Sequence, residues 1–129
     1  MKIIATLLIS LILLSSCSNN GKEKNIKGIQ LLYTNTISDK EADDFAEYLK
    51  NSEIANGEEK TIQLDKTGNT YKVRMVVKEE IKDEINKDED YLTFGGLLAT
   101  EISTDVFRGN KVEVHYCDEN LETLKVCKM

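Results

Sequence analysis

KTIQLDKTGNTYKVRMVV, residues Lys60–Val77, reads as a β-hairpin and sets the interpretation of everything on either side of it. Thr61-Ile62-Gln63-Leu64 alternates polar and apolar side chains. Lys66-Thr67-Gly68-Asn69 carries the glycine and asparagine that a tight reversal needs. Tyr71, Val73, Met75 and Val77 then repeat at period two, the spacing that puts alternate side chains on one sheet face. Val76 points the other way and is apolar too, so the second face is expected to be partly covered. Met75 and Val73 are expected to be buried on a central strand.

Upstream, Gly28–Thr34 has the same alternation, with Ile29, Leu31 and Tyr33 on one face. A helix follows. Ser38 and Glu41 form a capping box, in which each side chain satisfies the other's free backbone N–H. Ala42, Phe45, Ala46 and Leu49 then fall on one helical stripe. Asn56-Gly57 closes the unit as a turn. Downstream, Glu79–Asp90 is dense in charge and is expected to be a solvated loop with one helical turn at most. A second helix is expected from about Glu89 to Phe107. Acids suit its start, Tyr91, Phe94, Gly95, Leu98, Ile102 and Val106 form its stripe, and Gly109 lies just past its end. Gly95-Gly96 within it costs about 1 kcal/mol per glycine relative to alanine, so the helix either packs closely there or bends. Val112, Val114 and Tyr116 mark another strand, and Leu121–Cys127 an additional C-terminal one.

The order strand, helix, strand, strand, helix, strand predicts an α+β domain of ferredoxin-like βαββαβ type. Both helices would pack on one face of an antiparallel sheet, with an extra C-terminal strand at its edge. The domain is expected to span residues 28–129. Such an architecture implies no function by itself.

The N-terminus carries a separate message. Lys2, a largely apolar run from Ile3 to Leu14, and Leu14-Ser15-Ser16-Cys17 follow one another. The run is shorter than the roughly 20 apolar residues of a spanning helix and fits the h-region of a secretory signal. The stretch resembles a bacterial lipoprotein signal peptide, and Leu-Ser-Ser-Cys matches its lipobox. The resemblance implies a signal peptide over residues 1–16 and cleavage between Ser16 and Cys17. It also implies a diacylglycerol on the Cys17 thiol and acylation, as with palmitate, of the new amino end. Residues 17–27, polar and without periodicity, are then expected to be the lipidated cysteine and a flexible tether. More than one acyl chain gives stable attachment. The implied location is extracytoplasmic: the outer membrane in a Gram-negative host, since Ser18 is not the aspartate that retains lipoproteins at the inner membrane, or the outer face of the plasma membrane in a Gram-positive one. The capped Ser-x-x-Glu helix, KTIQLDKTGNTYKVRMVV and VFRGNKVEVHYCDENLETLKV also resemble domains of uncharacterised bacterial secreted or membrane-associated proteins. That likeness spans about residues 28–126 and brings no activity with it.

Composition limits the partners. The chain has 129 residues, 17 basic and 23 acidic, and removal of residues 1–16 leaves 16 against 23, a net charge of −7. Nucleic acid rewards clustered Lys and Arg, so none is expected as a partner. Anionic head groups would repel the domain, so a lipid would have to do the anchoring.

Chemistry-bearing residues are few. His115, the single histidine, shares a strand face with Glu113 and Cys117. These are metal-ligand types, but side chains spaced about 7 Å apart along one strand do not converge on an ion, and a polar outer sheet face accounts for them. The run Asp83–Asp90 lacks the alternating acidic pattern of a calcium loop. A hydrolytic arrangement of His115 with Ser38 or Ser103 lacks a nucleophile-elbow motif, and Cys117 with His115 lacks an orienting partner. Cys117 and Cys127 are a candidate disulfide outside the cytoplasm, opposed by their expected places at opposite ends of a hairpin. Tyr48 and Phe107 lie off the helix stripes and are the candidate exposed contacts. No catalytic residue, metal or cofactor is indicated. The residues point to a membrane-anchored, non-enzymatic binding or accessory module with a protein partner; the alternative is a small hydrolase or metal-dependent enzyme with a hidden site.

Overall fold

The computed structural model describes residues 22–129; the expected signal peptide, the Ser16–Cys17 cleavage site and the lipidated Cys17 lie outside them. The elements are β1 (Lys22–Ile26), β2 (Ile29–Tyr33), α1 (Asp39–Lys50), β3 (Lys60–Thr67), β4 (Thr70–Val76), a 3-10 turn (Glu79–Ile81), α2 (Lys82–Ile85), α3 (Glu89–Asp105), β5 (Val112–Cys117) and β6 (Thr123–Lys128). All six strands form one sheet, in chain order from β1 to β6.

This is the α+β domain anticipated, with differences in the sheet. The sheet is mixed: β2 pairs parallel to β3 and β4 parallel to β5, while the other three pairs are antiparallel. The expected antiparallel sheet is corrected because each long helix returns the chain to the strand next door, and such a crossover makes its two strands parallel. The ferredoxin-like expectation meets six strands rather than four or five, and its two parallel pairs are adjacent rather than split by an intervening strand.

The additional strand at the start stands where a flexible tether is expected. Ile26 pairs with Ile29 across Lys27-Gly28, both residues with positive φ, +47° and +91°. That is the backbone of a two-residue hairpin whose twist matches that of the flanking strands. A side chain on Gly28 would also press on the Glu58 carbonyl at 3.0 Å. Outside the hairpin, β1 is tied to α1 by Lys22–Asp39 (2.9 Å) and Lys24–Asp43 (2.7 Å). These are surface pairs, weakened by solvent screening.

One face of the sheet carries the core. Ile29, Leu31, Tyr33, Ile62, Leu64, Tyr71, Val73, Val112, Val114, Tyr116 and Cys127 meet Ala42, Phe45 and Leu49 of α1 and Leu98, Ala99 and Ile102 of α3 in one buried cluster. Both helices therefore lie on that face. The charged stretch after β4 is more ordered than a loop, because Ile85 of α2 drops fully into the same cluster. Gly95 is buried against β6, where a Cβ would come within 2.4 Å of the Cys127 sulfur. Of the two explanations for Gly95-Gly96, close packing is the one found. Among the described residues no helix is long and apolar enough to cross a membrane.

Candidate binding surface

The sheet face away from the helices brings His115, Arg74, Glu113 and Thr123 together. Register sets Arg74 of β4 beside His115 of β5, and β6 returns Thr123 beside Cys117. His115 Nε2 lies 3.0 Å from Glu113 Oε1, Nδ1 lies 2.9 Å from Thr123 Oγ1, and Arg74 Nη1 donates to that same hydroxyl at 3.0 Å. A single arrangement satisfies each donor: Arg74 to Thr123, the Thr123 hydroxyl to Nδ1, and Nε2–H to Glu113. Although this face has no helix over it, His115 is only 6% exposed. The polar outer sheet face expected from the sequence is found there, with the ring buried among its polar partners Glu113 and Thr123. Among the described residues no group of three or more His, Cys, Asp or Glu is placed to hold a metal ion.

Cys117 and Cys127 are both free and buried. Cys127 pairs with Val114 and Cys117 with Thr123, so about three strand steps, roughly 10 Å, separate the two cysteines along the hairpin. Cys127 sits in the core below the helices, whereas Cys117 lies on the other face. The candidate disulfide is ruled out by that separation, which exceeds the roughly 7 Å a bridge tolerates. Burial pushes the Cys117 thiol up, against smaller opposing effects of Thr123 and Arg74, and burial raises Cys127 likewise. Such thiols are poor nucleophiles at neutral pH. Ser103, buried on α3, donates its hydroxyl to the Asn110 carbonyl at 2.5 Å, and Ser38 is engaged in capping α1.

At the start of α1, the capping box is complete: Ser38 accepts from the Glu41 N–H at 3.1 Å, and Glu41 accepts from the Ser38 N–H at 2.9 Å. Glu41 also accepts from the Tyr71 hydroxyl, with Lys66 3.7 Å away. Partial burial raises the Glu41 carboxyl, but the bonds from Tyr71 and Ser38, with Lys66, hold it below the usual carboxylate value. Tyr71 stacks on Phe107 with centroids 3.8 Å apart. Phe107, a candidate exposed contact by sequence, is therefore buried.

The opposite happens on α3. Phe94, expected in the core, is 54% exposed, and Leu97 is 66% exposed. Phe94, Leu98 and Glu101 form one wall of a groove whose other wall is Tyr48, Asn51 and Ile54, with Met75 and Lys60 at its base. Met75 is half-buried for that reason rather than enclosed. Tyr48, the other candidate contact, stands in this groove with its hydroxyl raised by burial first and by the Glu101 and Asp105 carboxylates next. The sequence singled out Tyr48 but missed Phe94 and Leu97. Helical spacing alone makes Phe94 a stripe residue; in the structure Gly95 faces Cys127 of β6 and Phe94 beside it looks outward.

Residues 24–128 match a family model, AF_1994_N, described as a family N-terminal domain. No curated protein and no solved structure matches the chain.

Proposed function

We propose that this chain, which belongs to the AF_1994_N family over residues 24–128, is a lipid-anchored extracytoplasmic module that binds a protein partner and performs no catalysis of its own. The observation that carries the anchor is the succession of Lys2, the apolar run Ile3–Leu14 and Leu14-Ser15-Ser16-Cys17. Cleavage after Ser16 would leave Cys17 to hold the chain in the outer membrane of a Gram-negative cell or on the outer face of a Gram-positive plasma membrane. Five residues of chain then lead from Cys17 to Lys22, the first residue of β1, a reach of at most about 18 Å. The domain would ride close to the bilayer.

A binding role is supported by how the reactive side chains are occupied. His115 has a partner on each ring nitrogen, both thiols are buried and raised, and the Ser103 hydroxyl is spent on a backbone carbonyl. At the level of fold, the ferredoxin-like reading rests on the βαββαβ element order of β2 to β5 and not on sheet order.

The anchor is tested by feeding cells a clickable fatty acid. Wild-type chain should take the label and fractionate with membranes. Cys17→Ala should lose the label and either be released or remain unprocessed. Equal labelling of the two would overturn the anchor.

A further inference from the structure

Between α1 and α3 the helix layer opens into a groove of about 630 Å³. Its apolar surface is Tyr48, Ile54, Met75, Phe94 and Leu98, and the exposed Leu97 lies outside the lining, one helical turn from Phe94. Exposed apolar side chains that adjoin one another, unlike ones scattered singly, are the material of contact surfaces. The groove continues between the helices past Asp44, Glu47, Glu101 and Asp105, and Glu53 lies at its lower end. Lys60 is the basic residue in the lining, and its ammonium is taken by the Ile54 carbonyl and by Asn56, each at 2.8 Å. The surface thus combines apolar side chains with a run of carboxylates.

We propose that this groove binds a protein segment that presents apolar side chains with lysine or arginine beside them. Apolar anchors would fill the space over Met75 and Leu98 and cover Phe94, while cationic groups would reach the carboxylates of Glu101, Asp105 and Glu47. Opposite charge supplies register and approach, and apolar burial supplies most of the affinity. The proposal rests on the binding-module reading and names its partner's chemistry. A second copy of this chain would set acid against acid, given its excess of 23 acidic over 17 basic residues. An anionic membrane would meet the same repulsion. Placement also suits a partner. Lys22 pairs with Tyr33 at one end of β2, whereas Lys60, beside the groove, pairs with Ile29 at the other. The described chain therefore begins at the end of β2 away from Lys60.

The test uses the chain as cells make it, held in phosphatidylcholine nanodiscs if lipidated, with empty discs as the blank. Three synthetic helices serve as probes: leucine–lysine, lysine–serine of equal charge, and leucine–glutamate. The leucine–lysine helix should bind at least about tenfold more tightly than either control. Phe94→Gln with Leu97→Gln should weaken it about tenfold, a loss in the range of an interface hot spot. Both side chains are exposed, so the fold should hold, as circular dichroism will show. Glu47→Gln with Glu101→Gln should weaken binding about fivefold and flatten its salt dependence. Glu79→Gln with Glu80→Gln, the same charge removed from the remote 3-10 turn, should change nothing. The proposal is overturned if lysine–serine binds as well as leucine–lysine, if the remote pair is as damaging as the groove pair, or if the groove variants bind unchanged. It is equally overturned if sedimentation shows a dimer that Phe94→Gln dissolves, or if the chain docks on anionic vesicles through Phe94. Loss of the fatty-acid label with the peptide result intact would remove only the anchor.

Discussion

His115 shows what a single side chain can hide. Both ring nitrogens are bonded, and the ring is closed off by neighbouring strands. A surface position would tolerate substitution within about 0.5 kcal/mol. Here His115→Gln should cost about 1–3 kcal/mol, because one of Glu113 and Thr123 is left without its partner in a partly desolvated place. Urea unfolding of the variant measures it, and an unchanged midpoint would show that the two bonds contribute nothing. Gly95 gives a second residue-scale expectation. Gly95→Ala drives a methyl group into the Cys127 sulfur and Cβ and should lower stability by about 1–3 kcal/mol, even though alanine is the better helix former. Gly96 faces only the Lys128 carbonyl, at 3.1 Å. Gly96→Ala meets that one tight contact, near the end of β6, against the gain in helix propensity, so it should cost less than Gly95→Ala and the two melting temperatures should separate in that order. A reversed order would mean that α3 does not lie against β6 at Gly95.

At the scale of elements, α1 depends on its first turn. Ser38→Ala removes the cap and should cost about 1 kcal/mol. Glu41 links that cap to Tyr71 on β4 and to Lys66 on β3, so its charge joins helix to sheet. Its folded-state pKa lies below the unfolded value, as does that of Asp65, which burial raises but which the Lys66 N–H and the Thr34 and Thr36 hydroxyls lower further. Their stabilisation is therefore fully present above the unfolded carboxylate pKa and is lost as pH falls through the lower folded values. Stability should hold from neutral pH down to the ordinary carboxylate range and drop below it, and Glu41→Gln should flatten that drop. Urea midpoints across the range decide it; an equally steep drop in Glu41→Gln would assign the acid sensitivity to other groups. The elements themselves were largely legible, since α1, β3, β4 and β5 announce themselves by local period and cap chemistry. β1 was not. Its residues, KEKNI, have no apolar alternation because an edge strand tied down by ion pairs buries little, and Lys27-Gly28 is an unusual form of a two-residue hairpin turn.

For the molecule as a whole, the two-layer arrangement predicts where damage is fatal. Val73 is 1% exposed on β4, between Leu64 and Val114 and beneath the helices. Val73→Asp places an unpaired charge in that layer, a defect costing several kcal/mol against a total stability of about 5–15 kcal/mol. The domain should lose its cooperative thermal transition; a retained one would contradict the place of β4 at the centre of the sheet.

Spacing along the chain was enough to mark β2, α1, β3, β4, α3, β5 and β6, the inward face of β2 to β5 and of α1, and the sharing of one layer by both long helices. Those properties follow from spacing along the chain, because period two and period 3.6 are set by backbone geometry before any distant contact forms. The sequence also carried the signal-like stretch ending in Cys17, which is a linear pattern. The tertiary structure alone decided the sheet order, the parallel neighbours, the burial of His115 and the separation of Cys117 from Cys127. It alone decided the groove as well. Phe94 and Leu97 look outward where Gly95 faces Cys127, and the acids of α1 and α3 face one another only once both helices lie on the same sheet. Each of these depends on residues far apart in sequence being brought side by side, and no local period records that.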